Sequence, residues 1–240
     1  MGDVHYWRDR LARRACVLER AGSDETAESP CSWFGRVTVA RVGDAWPIAD
    51  GAPMWPLLQI VTGDLPHVPP VLADLAVIQV FVNRKSLSIN EWGADYYHAP
   101  GVNDPRWHLR AFRCGEDLVA IAEPDHDSNL RPYRGAWRLV DADFPTHDDV
   151  PAELPADLND AYYDLGFKNR DGTKVGGWPS NVQSEIFWAP GNRHPHDPEY
   201  VFQIDSDYDH GWAWGDSGVG YVGRGTGQHR DQWALEWQCY

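Results

Sequence analysis

Near the start of the chain, apolar positions recur at Trp7, Leu11, Ala15 and Leu18, in steps of four, four and three, while Arg8, Arg10, Arg13 and Arg14 fall largely on other faces. That spacing predicts one amphipathic helix over residues 4–20, packed on the rest of the fold. Gly22 to Pro30 is polar and reads as a loop, and beyond it the periodicity changes. The runs Trp55-Pro-Leu-Leu-Gln-Ile-Val61 and Leu75-Ala-Val-Ile-Gln-Val-Phe-Val82 have the length and the β-branched, aromatic composition of strands. Pro66, Pro69 and Pro70 lie between them, so the two runs read as neighbouring strands joined by a loop.

A second cluster of strand-like pieces, Tyr200-Val-Phe-Gln-Ile204 and Gly218-Val-Gly-Tyr-Val222, resembles the first. Leu57-Leu-Gln-Ile60 aligns with Val201-Phe-Gln-Ile204, and Gly35 and Gly176 precede the two strands by similar distances. The expected fold is α+β and mainly antiparallel β. It comprises a single domain over 1–240, with pseudo-repeats at about 31–120 and 171–240. Residues 123–164 carry eleven acidic side chains against three Arg, with five prolines, and read as a loop-rich, solvated connection between the halves.

Composition sharpens this picture. Among 240 residues there are 13 Trp, so rings must fill a deep core or line an amphipathic groove. With 36 acidic and 21 basic side chains the formal charge is −15, a field that repels phosphate backbones and anionic lipid headgroups. Nucleic acid and membranes are therefore not expected partners, whereas a basic protein or peptide is attracted. Cys16, Cys31, Cys114 and Cys239 are scattered without a CxxC pair, which predicts free thiols and a cytoplasmic location. The N-terminal segment lacks the apolar stretch of a signal peptide, and no apolar run reaches the ~18 residues that span a bilayer.

Several motifs invite chemistry. Gly215-Asp-Ser-Gly218 matches the surroundings of the nucleophilic Ser in trypsin-like proteases, yet no Ala-Ala-His-Cys segment precedes it and only 22 residues follow. Gly218-Val-Gly-Tyr-Val-Gly223 is formally a dinucleotide fingerprint, but Gly225 and Gly227 follow where a helix must begin. Asp205, Asp207 and Asp209 alternate, and Asp216 stands twelfth from Asp205 as in a calcium loop. However, His210 occupies the sixth position, where the sharp turn needs Gly. His194 and His196, with Asp197 to orient one imidazole, offer two ligands to zinc, but no third or fourth is identifiable and the proline-rich segment reads as a polar loop. No cofactor or metal is expected, and a metal-assisted enzyme using Asp205, Asp207 and Asp216 stands as the alternative to a binding module.

Three blocks occur in a specific order. They are Pro53-Met-Trp-Pro-Leu-Leu-Gln-Ile60 with Asp64-Leu-Pro66 and Ile78-Gln-Val-Phe-Val82; Thr173-Lys-Val-Gly-Gly-Trp-Pro179 with Gln183; and Phe202-Gln-Ile-Asp-Ser-Asp207 with Trp214-Gly-Asp-Ser-Gly218 and Tyr221. This order resembles the YwqG-like family of mostly bacterial proteins. Ser32-Trp-Phe-Gly-Arg36 departs from that family's paired-glycine element in the first half. Members are similar to the C-terminal region of programmed-cell-death-protein-2-like chaperones, and relatives occur near toxin-immunity loci. The resemblance implies a chaperone-like or immunity-like protein-binding role. Its expected contact surface is an acidic, aromatic-lined groove made by Trp178, Gln183, Trp188, Gln203, Asp205, Asp207, Trp212, Trp214 and Asp216.

Overall fold

The computed structural model describes residues 3–21, 30–83, 106–186 and 197–240. Helix α1 (Val4–Leu11) starts where the Asp3 carboxylate accepts the His5 and Tyr6 amides, and it buries Trp7 and Leu11. It ends at Ala12, whose extended backbone leads directly into strand β1 (Arg13–Arg20). The helix expected over 4–20 is thus correct for its first two turns only. Ala15, Cys16, Val17 and Leu18 are all buried, because β1 is covered on both faces, and a strand covered on both faces shows no alternation. Its apolar residues coincided with a helical stripe by spacing alone.

The remaining strands are β2 (Trp33–Phe34), β3 (Val39–Ala40), β4 (Ile48–Ala49), β5 (Ala52–Pro53), β6 (Trp55–Val61), β7 (Leu75–Val82) and β8 (Trp107–Arg113), followed by β9 (Val119–Ala120) and β10 (Tyr133–Asp143). After the short helix α2 (Ala156–Asp160) come β11 (Lys174–Gly176), β12 (Glu199–Asp205), β13 (Val219–Arg224) and β14 (Trp233–Gln238). Ten of them form one antiparallel sheet in the order β14-β13-β12-β11-β1-β10-β2-β6-β7-β8, while β3–β9 and β4–β5 are small separate ribbons. The expected strands 55–61 and 75–82 coincide with β6 and β7 residue for residue, and Gln59 lies opposite Gln79 across that pair.

The stretch 123–164, expected as a loop-rich connection, has no helix or strand over 123–132 but is not loop throughout. That stretch contains β10, an 11-residue strand at the centre of the sheet, paired with β1 on one side and β2 on the other. Its charges misled because Arg138 and Asp141 project outward, whereas Gly135, Val140 and Asp143 point into packing.

The sheet curls until its two ends are bridged. Arg224 on β13 reaches Asp74, just before β7, and Arg113 at the end of β8 pairs with Asp231 in the β13–β14 connection. Inside the curl, Leu57, Ile60 and Val80 from one end pack with Phe202, Trp214 and Trp233 from the other in one cluster of buried residues. A second cluster joins Trp7 and Leu11 of α1 to Phe144, Leu158 and Phe167. Among the described residues no helix is long and apolar enough to cross a membrane.

Candidate functional site

Gln203, in the middle of β12, is fully buried and therefore must have partners. Its Oε1 accepts the Ser180 amide at 2.9 Å, and its Nε2 donates to the Gly172 carbonyl at 2.9 Å and to Ser180 Oγ at 3.1 Å. One side chain thereby staples two loop segments to the sheet. Gln59 does the same on β6, accepting the Thr38 amide at 3.0 Å and donating to the Cys31 carbonyl and to Thr38 Oγ1, both at 2.8 Å.

Beside the Gln203 staple opens a cavity of about 680 Å3. Asp205, the last residue of β12, is held by its own amide donating to Thr173 Oγ1 at 3.0 Å, and its Oδ1 accepts the Ser206 amide at 2.8 Å. Burial pushes the Asp205 carboxyl above the usual carboxylate range. The carboxylates of Asp171 and Asp207 push the same way, against the Ser206 and Gly172 amides. Asp171 and Lys168 also line the cavity, so its charged lining comprises two carboxylates and one ammonium. Three tyrosines line it as well, and they are unusually open for aromatic residues: Tyr163 is 55% exposed, Tyr208 57% and Tyr240 80%. The Tyr208 hydroxyl accepts the Ser217 amide at 2.8 Å, which fixes that ring while its body faces water. Ser217 takes a left-handed φ of 52° at this contact, a conformation that costs a non-glycine residue roughly 1–3 kcal/mol.

One wall of the cavity has its own titrating group. Asn181 Nδ2 donates to Thr146 Oγ1 at 3.0 Å and to Asp149 Oδ2 at 2.8 Å. Burial first, then Asp148 and Glu185, raise the Asp149 carboxyl from 3.8 to about 6, despite the Asn181 hydrogen bond and Arg13. The folded protein therefore keeps a proton that the unfolded chain releases between pH ~4 and ~6, and stability falls as pH rises through that window. Asp149→Asn is expected to match the parent near pH 4 and to exceed it by on the order of 1 kcal/mol at pH 7. Urea unfolding at the two pH values checks this, and an equal gain at both would refute it.

The other expected site residues are dispersed. Asp207 is occupied in capping the turn at Tyr208–His210, where its Oδ1 lies 2.8 Å from His210 Nδ1. Trp212 and Trp214 do not form a contact surface: both are 1% exposed, with ring centroids 4.9 Å apart in an edge-on pair inside the core. A loop residue that folds back under a curled sheet looks in sequence like a surface residue. Trp178 packs beneath α1, donating from Nε1 to the Leu11 carbonyl at 2.7 Å, with the Arg13 guanidinium 3.4 Å over its ring. Gln183 and Asp216 are exposed, and neither lines the cavity. Trp188, His194 and His196 lie outside the described residues.

Asp205, Asp207, Asp209 and Asp216 do not converge, and among the described residues no group of three or more His, Cys, Asp or Glu is placed to hold a metal ion. Gly218 to Gly223 runs into β13, which is followed by a single 3-10 turn at Gly227–His229 rather than an α-helix, and all four cysteines are free thiols. The structure brings Gln203 and Asp205 to one cavity and adds Asp171, Tyr163, Tyr208 and Tyr240, which no motif announced.

A family described as "Domain of unknown function (DUF1963)" matches residues 33–223. No curated protein matches the chain.

Proposed function

The chain belongs to this family of unknown function, matched over residues 33–223, and from that premise we propose that it is a protein- or peptide-binding module whose contact site is the Asp205 cavity. The observation that carries the reading is the combination of cavity size, half-buried carboxylate and three exposed tyrosine rings in one place. Exposed tyrosines are common in recognition surfaces, where a rigid ring offers apolar area and a polar tip at low entropic cost. A carboxylate raised by burial and by neighbouring acids gains most from an arriving cation, and the −15 formal charge steers such a partner inward. The partner is accordingly basic: a client to be held, in a chaperone-like role, or a toxin to be blocked, in an immunity-like role.

The proposal includes placement in the YwqG-like family, one domain built by duplication of halves at about 31–120 and 171–240, and a cytoplasmic location. Corresponding contacts support the duplication. The amide of Val61, at the end of β6, donates to Ser32 Oγ at 3.0 Å, as that of Asp205, at the end of β12, donates to Thr173 Oγ1. Gly35 and Gly176 share φ values of 70° and 72°. Val61 stands where Asp205 stands, so the carboxylate belongs to the second half alone. Four free thiols support the reducing compartment.

The test is affinity capture of a basic partner from the source cell, with Asp205→Asn as the comparison bait. Binding should fall at least tenfold in the variant while its melting temperature stays within a few degrees. Undiminished capture by Asp205→Asn would remove this cavity from the account.

A further inference from the structure

We infer that the Asp205 cavity is built for an arginine side chain of the partner rather than a lysine, its guanidinium set against the Asp205 and Asp171 carboxylates and covered by tyrosine rings. This rests on the reading of the cavity as the contact site and adds which residue enters it.

Charge alone selects a cation: the two carboxylates outnumber Lys168 in the lining, so a phosphate or carboxylate group is repelled. What separates arginine from lysine is acceptor layout and water. Asp205 and Asp171 come from different elements, the end of β12 and the turn before β11, so acceptors are spread around the space rather than focused on one point. Asn181, also in the lining, keeps its Oδ1 buried without a donor. A guanidinium presents five N–H groups in a plane and reaches separated acceptors together, whereas an ammonium presents three from a single atom. Tyr163, Tyr208 and Tyr240 supply ring faces, and the weakly hydrated guanidinium stacks on such faces at lower desolvation cost than an ammonium.

The fold already uses this chemistry on itself. Arg224 is buried with its guanidinium forked on Asp74, at 2.7 and 2.9 Å, and lies 5.4 Å over the Trp233 ring. A carboxylate with an aromatic wall therefore accommodates a desolvated arginine elsewhere in this chain.

The experiment is selection of random dodecamers displayed on phage by the full chain, followed by affinity measurement of a selected peptide and its Lys and citrulline replacements at the enriched position. Arginine should be enriched there, with affinity falling at least tenfold for Lys and further for citrulline, which keeps the shape without the charge. The gain of Arg over Lys should vanish in Asp205→Asn and shrink in Asp171→Asn, an exposed position where the replacement leaves packing untouched. Peptides that bind equally well with Lys would overturn the arginine inference and leave the binding-module reading intact. Selection that enriches nothing, or peptides that bind both variants as well as the parent, would overturn both.

Discussion

Asp143→Ala is expected to cost about 3–5 kcal/mol of stability, the largest loss from any single charge removal among the described residues. Asp143 ends β10 and Lys174 begins β11, so the pair meets across β1 at the middle of the sheet. Both side chains are completely buried and their charged atoms are 3.0 Å apart. Burial alone pushes the Asp143 carboxyl up and the Lys174 ammonium down, and each partner opposes the other's shift. Asp143 also accepts the Arg170 amide at 2.7 Å and the Trp178 amide at 2.8 Å. Its approach is so close that a Cβ on Gly177 would lie 2.2 Å from Asp143 Oδ2, and Gly177 itself sits at φ 70°. Removing the acid leaves a fully buried ammonium without its counter-ion and takes the acceptor from two backbone donors. The double replacement Asp143→Leu with Lys174→Met should recover part of the loss, because a neutral pair leaves no naked charge. Urea midpoints followed by Trp fluorescence give the answer, and a single-variant loss below ~1 kcal/mol would contradict the account.

The second large effect is expected at the seam that closes the curl. Arg224, 1% exposed, donates to both oxygens of Asp74, to the Arg230 carbonyl at 2.6 Å and to the Val71 carbonyl. Arg224→Lys should destabilise by about 2–4 kcal/mol, nearly as much as Arg224→Ala, since one ammonium cannot serve acceptors laid out for a planar fork. The hydrogen bond from Arg224 holds the Asp74 carboxyl well below the usual carboxylate range. A depressed carboxyl contributes stability that is present above its ordinary pKa, near 4, and is lost as pH falls toward the folded value. The gap between parent and variant should therefore be full at pH 7 and narrowed at pH 2.5. A gap independent of pH would mean that packing on Trp233, rather than the ion pair, carries the effect.

Legibility in the sequence tracked local pattern. Strands β6 and β7 were readable to the residue because continuous apolar runs bounded by prolines admit few alternatives. Gln59 and Gln203 stood out by their repetition, and both prove to be buried staples. At Ala12 the helix stops without glycine or proline to mark it, so a coincident spacing carried the expected helix beyond Leu11 to Arg20, through all of β1. β10 was hidden because a strand at the sheet centre with charges on its outer face has the composition of a loop. Asp205 was found from its motif. Its companions Asp171, Tyr163 and Tyr240 come from three separate segments that only the fold brings together, and no local signal marks them.

The symmetric strand order has a kinetic consequence. The central seam joins residues 13–20 to residues 135–143, over a hundred positions apart, and β11 is attached to the sheet through that same first strand. Each end of the sheet, β11–β14 on one side and β2, β6, β7 and β8 on the other, comes from one contiguous stretch of chain, but within the sheet the two are joined only through the β1–β10 seam. Closure over so long a separation predicts a high contact order and slow, concerted assembly, so a fragment ending before β10 or beginning after β1 should fail to fold when expressed alone.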